Sequence, residues 1–494
     1  MSRMTAEEIV IGCLKNEGVQ YIFGSPGDDQ LSLIDRIYRD GGIKLFDTRH
    51  ENTGPLAAMG YAQATGRLAV CTATVGPGVA NFFNGMMCAW RSRAPVVAIV
   101  FKHAPGLYER DIMKSFDQSA VFQHITKWVI DVDRIEHIAD ALWRAFRAAS
   151  CSPTGPVMVC INEQLFQHHK GPLLETELPP REQLHPASRI TYTDPAIAEQ
   201  AARMLLESNL PLLVADDRCY WNGSEEEIAE LANLLAIPVV QVWSNFRPIM
   251  PESSPLVWGS LAGYATAPTL QLMKESDLLL AVDCTFDTYL STDSGYHEIG
   301  FVPGRFHQRI VQIDSDPHFI AKIYPVELGI LGHSKGVLKQ IIQAVKKLGV
   351  NENARAERLD KLRRMRDEWM GIVDKELEKV HDQVPIAPIR LVQAMNNVLG
   401  KDDMIVTGGA IIKGAFQAMG NFIACEPRTV FSMGYEGSLG QSLGRAMGVK
   451  IACPNKRVTA LCGDGEFWYC NASELETLRR HHLPISIVIS NNGV

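Results

Sequence analysis

Short apolar runs bounded by turns alternate with amphipathic stretches along the whole chain. LAVCTATV (68–75), APVVAIVF (94–101), PVMVCIN (156–162), PLLVADD (211–217), DLLLAVD (277–283), RIVQIDSD (309–316), DMIVTGG (403–409), RVTALCGDG (457–465) and ISIVIS (485–490) are representative. Runs this short and apolar on both faces suit parallel strands covered by helices, because a strand with one wet face alternates instead. The pattern predicts an α/β chain built from doubly wound parallel sheets. Two stretches interrupt it: the proline-rich, polar segment 167–190 and the charged, mostly helical connection 349–385. They divide the chain into expected domains at 1–170, 190–348 and 375–494. The third is short and stops directly after a strand, so it is expected to lack its C-terminal part.

Composition changes this picture little but removes several partners. A chain of 494 residues with 46% hydrophobic content can bury large cores, and a formal net charge of -8 offers no basic face for nucleic acid. The locally basic stretch RAERLDKLRRMRDE (355–368) interleaves acids at helical spacing and reads as a solvated helix face. Thr5 followed by Glu8 marks a helix start, not a signal peptide, and no run reaches the roughly 18 charge-free apolar residues of a membrane span. The eleven cysteines are scattered without a CxxC pair, as in a reduced, cytoplasmic protein.

The chemistry gathers near the end of the chain. GDG (463–465) is followed by 25 residues and then by Asn491 and Asn492. A strand would deliver Asp464 to a tight glycine turn, a helix from about Ala472 to Arg480 would return the chain, and a parallel neighbour would bring Asn492 beside it. A carboxylate and an amide oxygen so placed suit a hard divalent cation that completes its shell with phosphate oxygens and water. Either turn alone is common. Their placement at the ends of adjacent strands gives the pair its meaning.

This spacing resembles the metal–diphosphate motif of thiamine diphosphate enzymes, and its surroundings are similar to the acetolactate synthase-like group. FSMGYEGSLGQSLGRAMG (431–448), YIFGSPGDDQL (21–31), DTRHENTGPLAAMGYAQATGR (47–67), TVGPGVANFFNGM (74–86), DQSAVFQHITKW (117–128) and IVQIDSDPHFIAK (310–322) match that group's landmarks in order. The resemblance implies pyrimidine-binding, central and diphosphate-binding domains. It also implies thiamine diphosphate with Mg²⁺, and a lyase or transferase that decarboxylates 2-oxo acids or joins and cleaves carbon–carbon bonds beside a carbonyl. A 2-oxo acid, acyloin or aldehyde would be the substrate. A homodimer or homotetramer is implied as well, because the family's site lies between subunits.

Residue by residue, the resemblance assigns Glu51 to the cofactor's pyrimidine nitrogen, where a carboxylate favours the tautomer that accepts the reactive carbon's proton. Leu439 becomes the apolar support under the folded cofactor. Asp464, Asn492 and the Val494 carbonyl become metal ligands. Pro26, Gly27, Asn81, Gly408, Gly409, Gly437, Gly463, Gly465 and Glu466 are placed at the cofactor, with His50 and His103 as candidate proton carriers. His481 and His482 are expected only to close a helix. Some relatives hold FAD in the central domain; no glycine loop in 190–345 demands one, and the question stays open.

Three departures bear on substrate. The diphosphate turn reads TGGAIIKGAF (407–416), with Lys413 where polar residues are usual; Met113, Lys114 and Ser115 replace an FQE that faces substrate; and Lys102 with His103 occupy the loop after a strand. Alternatives are therefore a benzaldehyde-lyase-like carboligase, an acyl-CoA decarboxylase, or a non-catalytic scaffold that keeps the fold.

Overall fold

The computed structural model describes the chain apart from Met1, Val494 and residues 108–109, 167–169, 187, 217, 243–248, 252, 262–264, 285, 287–307, 409–425 and 433–436. It forms two compact units, one of Met1–Ser188 with Met404–Gly408 and Met433–Val494, the other of Arg189–Asp403 with Gly409–Ser432.

After a short strand at Ser2–Met4 that pairs antiparallel with Leu174–Thr176, the first unit's first helix is α1 (Ala6–Glu17), whose start is set as its sequence predicts. The Thr5 side chain accepts from the Glu8 N–H, and the Glu8 carboxylate accepts from the Thr5 N–H at 2.9 Å, a reciprocal cap for two otherwise orphaned donors. Six parallel strands follow: β1 (Tyr21–Ser25), β2 (Lys44–Asp47), β3 (Ala69–Ala73), β4 (Val96–Lys102), β5 (Trp128–Val132) and β6 (Val157–Asn162). They lie in the order β2-β1-β3-β4-β6-β5. Strands β3 and β6 are buried at every residue, which explains their uninterrupted apolar runs. The strand order reverses between β1 and β3, so the loops leaving them diverge and open a crevice at the sheet's C-terminal edge, where ligands of such sheets bind. Strand β2 leads through Arg49, His50 and Glu51 into helix α2 (Thr53–Thr65).

The second unit is a parallel sheet of β7 (Pro211–Ala215), β8 (Val239–Gln241), β9 (Val257–Ser260), β10 (Leu278–Val282), β11 (Arg309–Asp314) and β12 (Leu328–Leu331), ordered β9-β8-β7-β10-β11-β12. Helices α3 (Pro195–Glu207) and α4 (Glu225–Leu235) help to cover it. The charged connection is the 28-residue helix α5 (Glu352–Lys379), and it is more than a solvated spacer. Leu362 and Val373 are buried, and the Arg358 guanidinium donates to the carbonyls of Ser208, Asn209 and Leu235, the orphaned acceptors at the ends of α3 and α4. At the C-terminal edge of this sheet Arg218 pairs with Asp314 through two bonds of 2.9 and 2.7 Å. Nearby, Asp283 accepts from Asn222 at 2.9 Å, and burial raises its pKa to about 6.

The chain then returns to the first unit. Strands β13 (Met404–Thr407), β14 (Val458–Gly463) and β15 (Ser486–Ser490) pair in parallel, with β14 in the middle. Helix α6 (Ser442–Ala452) is buried over most of its length and packs along α2. The approach is close. A Cβ on Gly60 would strike the Arg445 backbone, and one on Gly448 would strike the Ala57 carbonyl. Arg445, fully buried in this seam, donates to Gln63 Oε1 at 2.9 Å and to Gln441 Oε1 at 3.2 Å. Between β14 and β15 a short helix that was not expected, α7 (Asp464–Tyr469), precedes the helix expected at 472–480, which is present as α8 (Glu474–Arg480), the two parted where Asn471 takes a left-handed φ of 51°.

Candidate active site

The crevice of the first sheet is locked by its own loops. Asp29 accepts from Thr74 Oγ1 at 2.5 Å and from the Val75 N–H at 3.2 Å, and its burial outweighs these bonds and raises its pKa. Gln30 donates to Thr72 Oγ1 at 2.8 Å and to the Ala73 carbonyl at 3.0 Å. Pro26 and Gly27, half-buried, are thereby tied to the TVGPG loop. Glu51 faces that loop: Oε2 accepts from Asn81 Nδ2 at 3.0 Å, and a Cβ built on Gly78 would lie 3.4 Å from Oε1. The backbone N–H of Asn52 donates to His50 Nδ1 at 3.1 Å, leaving Nε2 as the nitrogen that can exchange a proton.

The third sheet supplies the other side. Asp464 follows β14, and its Oδ1 accepts from the backbone N–H of Asn492, which follows β15, at 3.3 Å. Gly463 has φ −75° and caps α7, so the turn at Asp464 needs no left-handed glycine. The expectation of a tight turn that needs glycine is corrected: a Cβ on Gly463 would meet only the Ser490 carbonyl, at an ordinary 3.9 Å. Glu466 is buried, and its carboxylate accepts from the N–H groups of Gly440 at 2.7 Å, Gln441 at 3.2 Å and Ser442 at 3.2 Å. It also fills the space beside Gly408, where a Cβ would strike it. Glu466 thus fixes the turn after Leu439, whose side chain is 43% exposed, and Gly437 in the same turn is left-handed at φ 59°. Ser438 Oγ donates to Asn84 Oδ1 at 2.8 Å, which brings the Leu439 turn to the helical segment just beyond Asn81. Asn81, which bonds Glu51, and Asn84, which bonds Ser438 beside Leu439, lie three residues apart on one helical segment.

Other sequence candidates go elsewhere. Both ring nitrogens of His103 face oxygens, Nδ1 the Glu163 carboxylate at 2.8 Å and Nε2 the Met113 carbonyl at 3.1 Å. His103 lines a pocket of about 220 Å³ with Lys102, Asp117, Gln118, Asp131 and Asp133, and Lys102 pairs with Asp133 at 3.0 Å. Lys114 pairs with Asp28, whose pKa it lowers. His481 caps α8 and meets Asp47 at 3.1 Å, in keeping with a helix-closing role, and His482 follows with a left-handed φ of 52°. Gly465 lies inside α7, while Gly409, Lys413 and Val494 fall outside the described residues.

Sequence reasoning missed the contacts between α8 and the segment before Glu51. Glu474 accepts from the backbone N–H groups of Arg49 and His50, Glu476 pairs with Arg49 at 2.5 Å, and Arg480 pairs with Asp47. Burial alone would raise the Asp47 pKa, but the Arg480 guanidinium outweighs it and holds the carboxyl below its usual range. SELE reads locally as a helix start with acids in its first turn. Nothing nearby in sequence reveals partners 424 residues away.

A doubly wound sheet presenting Glu51 and a second sheet presenting Asp464 beside Asn492 define a class of thiamine-dependent fold, and family comparison agrees. The N-terminal TPP binding domain of thiamine pyrophosphate enzymes matches residues 4–121, the central domain 198–341 and the C-terminal TPP binding domain 414–494. The chain belongs to the thiamine pyrophosphate (diphosphate) enzyme family, and among the proteins it is similar to are acetolactate synthases. It is 29% identical over 494 residues to the probable acetolactate synthase large subunit of Methanocaldococcus jannaschii, covering 99% of this chain and 80% of that protein. It is 29% identical to the acetolactate synthase large subunit of Corynebacterium glutamicum, covering 99% and 75%, and 27% identical to that of Haemophilus influenzae, covering 100% and 83%.

Proposed function

We propose that this chain catalyses thiamine diphosphate- and Mg²⁺-dependent carboligation or decarboxylation of a 2-oxo acid, in the manner of an acetolactate synthase. The observation that supports the reading is that the chain carries both half-sites: Glu51 bonded to Asn81 at the edge of the first sheet, and Asp464 beside Asn492 at the edge of the third, which the family would bring together between subunits. Asp464 and the Asn492 amide are hard oxygen donors that fit Mg²⁺ between protein and diphosphate. When bound, thiamine diphosphate supplies a nucleophilic carbon and an electron sink for the bond beside the carbonyl. This chain's residues do the rest. Asn81 orients the Glu51 carboxylate toward the cofactor's ring nitrogen, where it favours the proton-accepting tautomer. Leu439 supports the ring system from its apolar face. Glu466 holds the Leu439 turn from below without touching substrate, and His50 Nε2 is placed to move a proton to or from the product oxygen.

Lys114 favours a second, narrower reading within the same chemistry. It takes the middle position of the segment where relatives carry a substrate-facing FQE, and its partner Asp28 is largely exposed, so an anionic group on the substrate can replace that partner. An acyl-CoA or other acid with a distal anion fits this better than pyruvate does. FAD fits the second unit poorly. Among the described residues, Asp216, Asp283 and Asp314 line the sheet edge where its pyrophosphate would lie, and Arg218 is already committed to Asp314.

Turnover of pyruvate and of longer anionic 2-oxo acids, with and without Mg²⁺ and thiamine diphosphate, tests the reading. Product formed only with both cofactors supports it, and no carbon–carbon chemistry on any of these acids contradicts it. In the Lys114→Gln variant, kcat/KM for the anionic substrate falls about tenfold, mainly through KM, if Lys114 binds substrate uniformly. An unchanged KM removes the second reading.

A further inference from the structure

Glu474 is 0% exposed, an unusual place for a carboxylate that, among the described residues, has no buried cation against it. Its two oxygens are occupied by donors. The Arg49 N–H lies 3.0 Å from Oε1 and 3.2 Å from Oε2, the His50 N–H lies 2.9 Å from Oε1, and Thr477 Oγ1 donates to Oε2 at 2.6 Å. Backbone N–H groups bonded to an ionised carboxylate make strong, short-range anchors. The chain just beyond is fixed as well, because Thr53 donates to the His50 carbonyl at 3.1 Å and Gly54 to the Glu51 carbonyl at 2.9 Å as α2 begins. Glu51 therefore hangs between two pinned points. Only its side-chain torsions remain to be set, and Asn81 sets them.

Glu474 also sits on α8, in the connection that carries the chain from Asp464 to Asn492. The segment that joins the two expected metal-bearing strand ends thus reaches across and holds the backbone of the loop that presents Glu51. Of the outer pairs, Arg49 with Glu476 is exposed and contributes little by itself, and Arg480 with Asp47 is half-buried and joins α8 to the end of β2. The buried carboxylate sets the register.

We infer that Glu474 is a positioning residue that aligns Glu51 with the cofactor by holding the Arg49 and His50 amides, a role that rests on the cofactor reading above. A carboxylate that must meet a ring nitrogen tolerates displacement of about half an ångström, so loosening this anchor degrades catalysis well before the fold fails.

The test compares the parent chain with Glu474→Gln, Glu474→Ala and, as an outer-pair control, Glu476→Ala. Amide hydrogen exchange is first measured without cofactor. The Gln variant, which keeps one accepting oxygen, exchanges faster at residues 47–52 while the strands of the first sheet keep their protection, and Glu476→Ala resembles the parent. Mg²⁺ and thiamine diphosphate are then added, with affinity read by calorimetry and exchange of the cofactor's C2 proton by magnetic resonance. Misplacement on this scale slows C2 exchange about 10- to 100-fold in Glu474→Gln and more in Glu474→Ala, with a much smaller change in affinity. If the Ala variant does not fold, the isosteric Gln variant carries the comparison. Parental amide and C2 exchange in Glu474→Gln overturns the inference, as does an equal loss in Glu476→Ala. A parent that fails to bind or exchange contradicts the cofactor reading instead, and the cofactor-free amide data still decide whether Glu474 holds the loop.

Discussion

At the end of β10, Asp283 combines two constraints that bear on the chain's response to pH. It is buried, and its backbone is left-handed at φ 51°, a conformation that aspartate and asparagine tolerate best among side chains of this size. Burial raises its pKa from 3.8 to about 6, so the folded state binds this proton more tightly than the unfolded chain does. Stability from this group is then fully present below pH 3.8 and is lost as pH rises through about 6. Asp283→Asn keeps the shape and the backbone preference but removes the charge. It raises stability at pH 8 by about 1–3 kcal/mol and changes it little at pH 4, as read by chemical unfolding at the two values. An equal difference at both values contradicts the assignment. Asp283 was not legible as a special residue, since DLLLAVD reads simply as a strand ending on an acid. Glu51 was legible because its neighbours RHEN and TVGPG belong to a recognisable order of landmarks, whereas its holder Glu474 was not, because the contact joins distant parts of the chain.

Elements show where local reading succeeds and where it stops. The capping box of α1 and the apolar strands follow from residues a few positions apart, and the structure reproduces them. The helix at 474–480 follows from the local pattern, whereas the short helix over Asp464–Tyr469 just after the glycine turn does not. The two part at Asn471, where a left-handed residue redirects the chain and lets α8 reach Asp47–His50. The seam between α2 and α6 is likewise a tertiary fact: GYAQATG and GRAMG read as ordinary small-residue helices until they are placed face to face. Gly60→Val puts a branched side chain against the Arg445 backbone, and overpacking of this kind costs about 1–3 kcal/mol or more. A clear fall in melting temperature, with loss of protection along α2 and α6, is the expected result. An unchanged melting temperature means that the helices separate at no cost, contrary to their close approach.

Across the whole molecule, three parallel sheets overlap the three family-matched segments, and the first and third are gathered into one unit. Within that unit Glu474 on α8 bonds the Arg49 and His50 amides of the first sheet's loop, while Glu466 fixes the Gly440–Ser442 turn of the third. The number and class of the sheets were legible from apolar runs and turn chemistry. The pairing of sheets and the commitment of Glu466 to backbone donors were not, because both depend on faces that periodicity cannot match to each other.

The central claim is that Glu51 activates bound thiamine diphosphate. Exchange of the C2 proton on the cofactor, bound with Mg²⁺ to the parent chain and to Glu51→Gln, tests it most directly. The account predicts fast exchange in the parent and a loss of about 10²-fold or more in the variant, with binding retained because the Asp464–Asn492 side is intact. Equal exchange in the two proteins, or a parent that does not accelerate exchange at all, would contradict it.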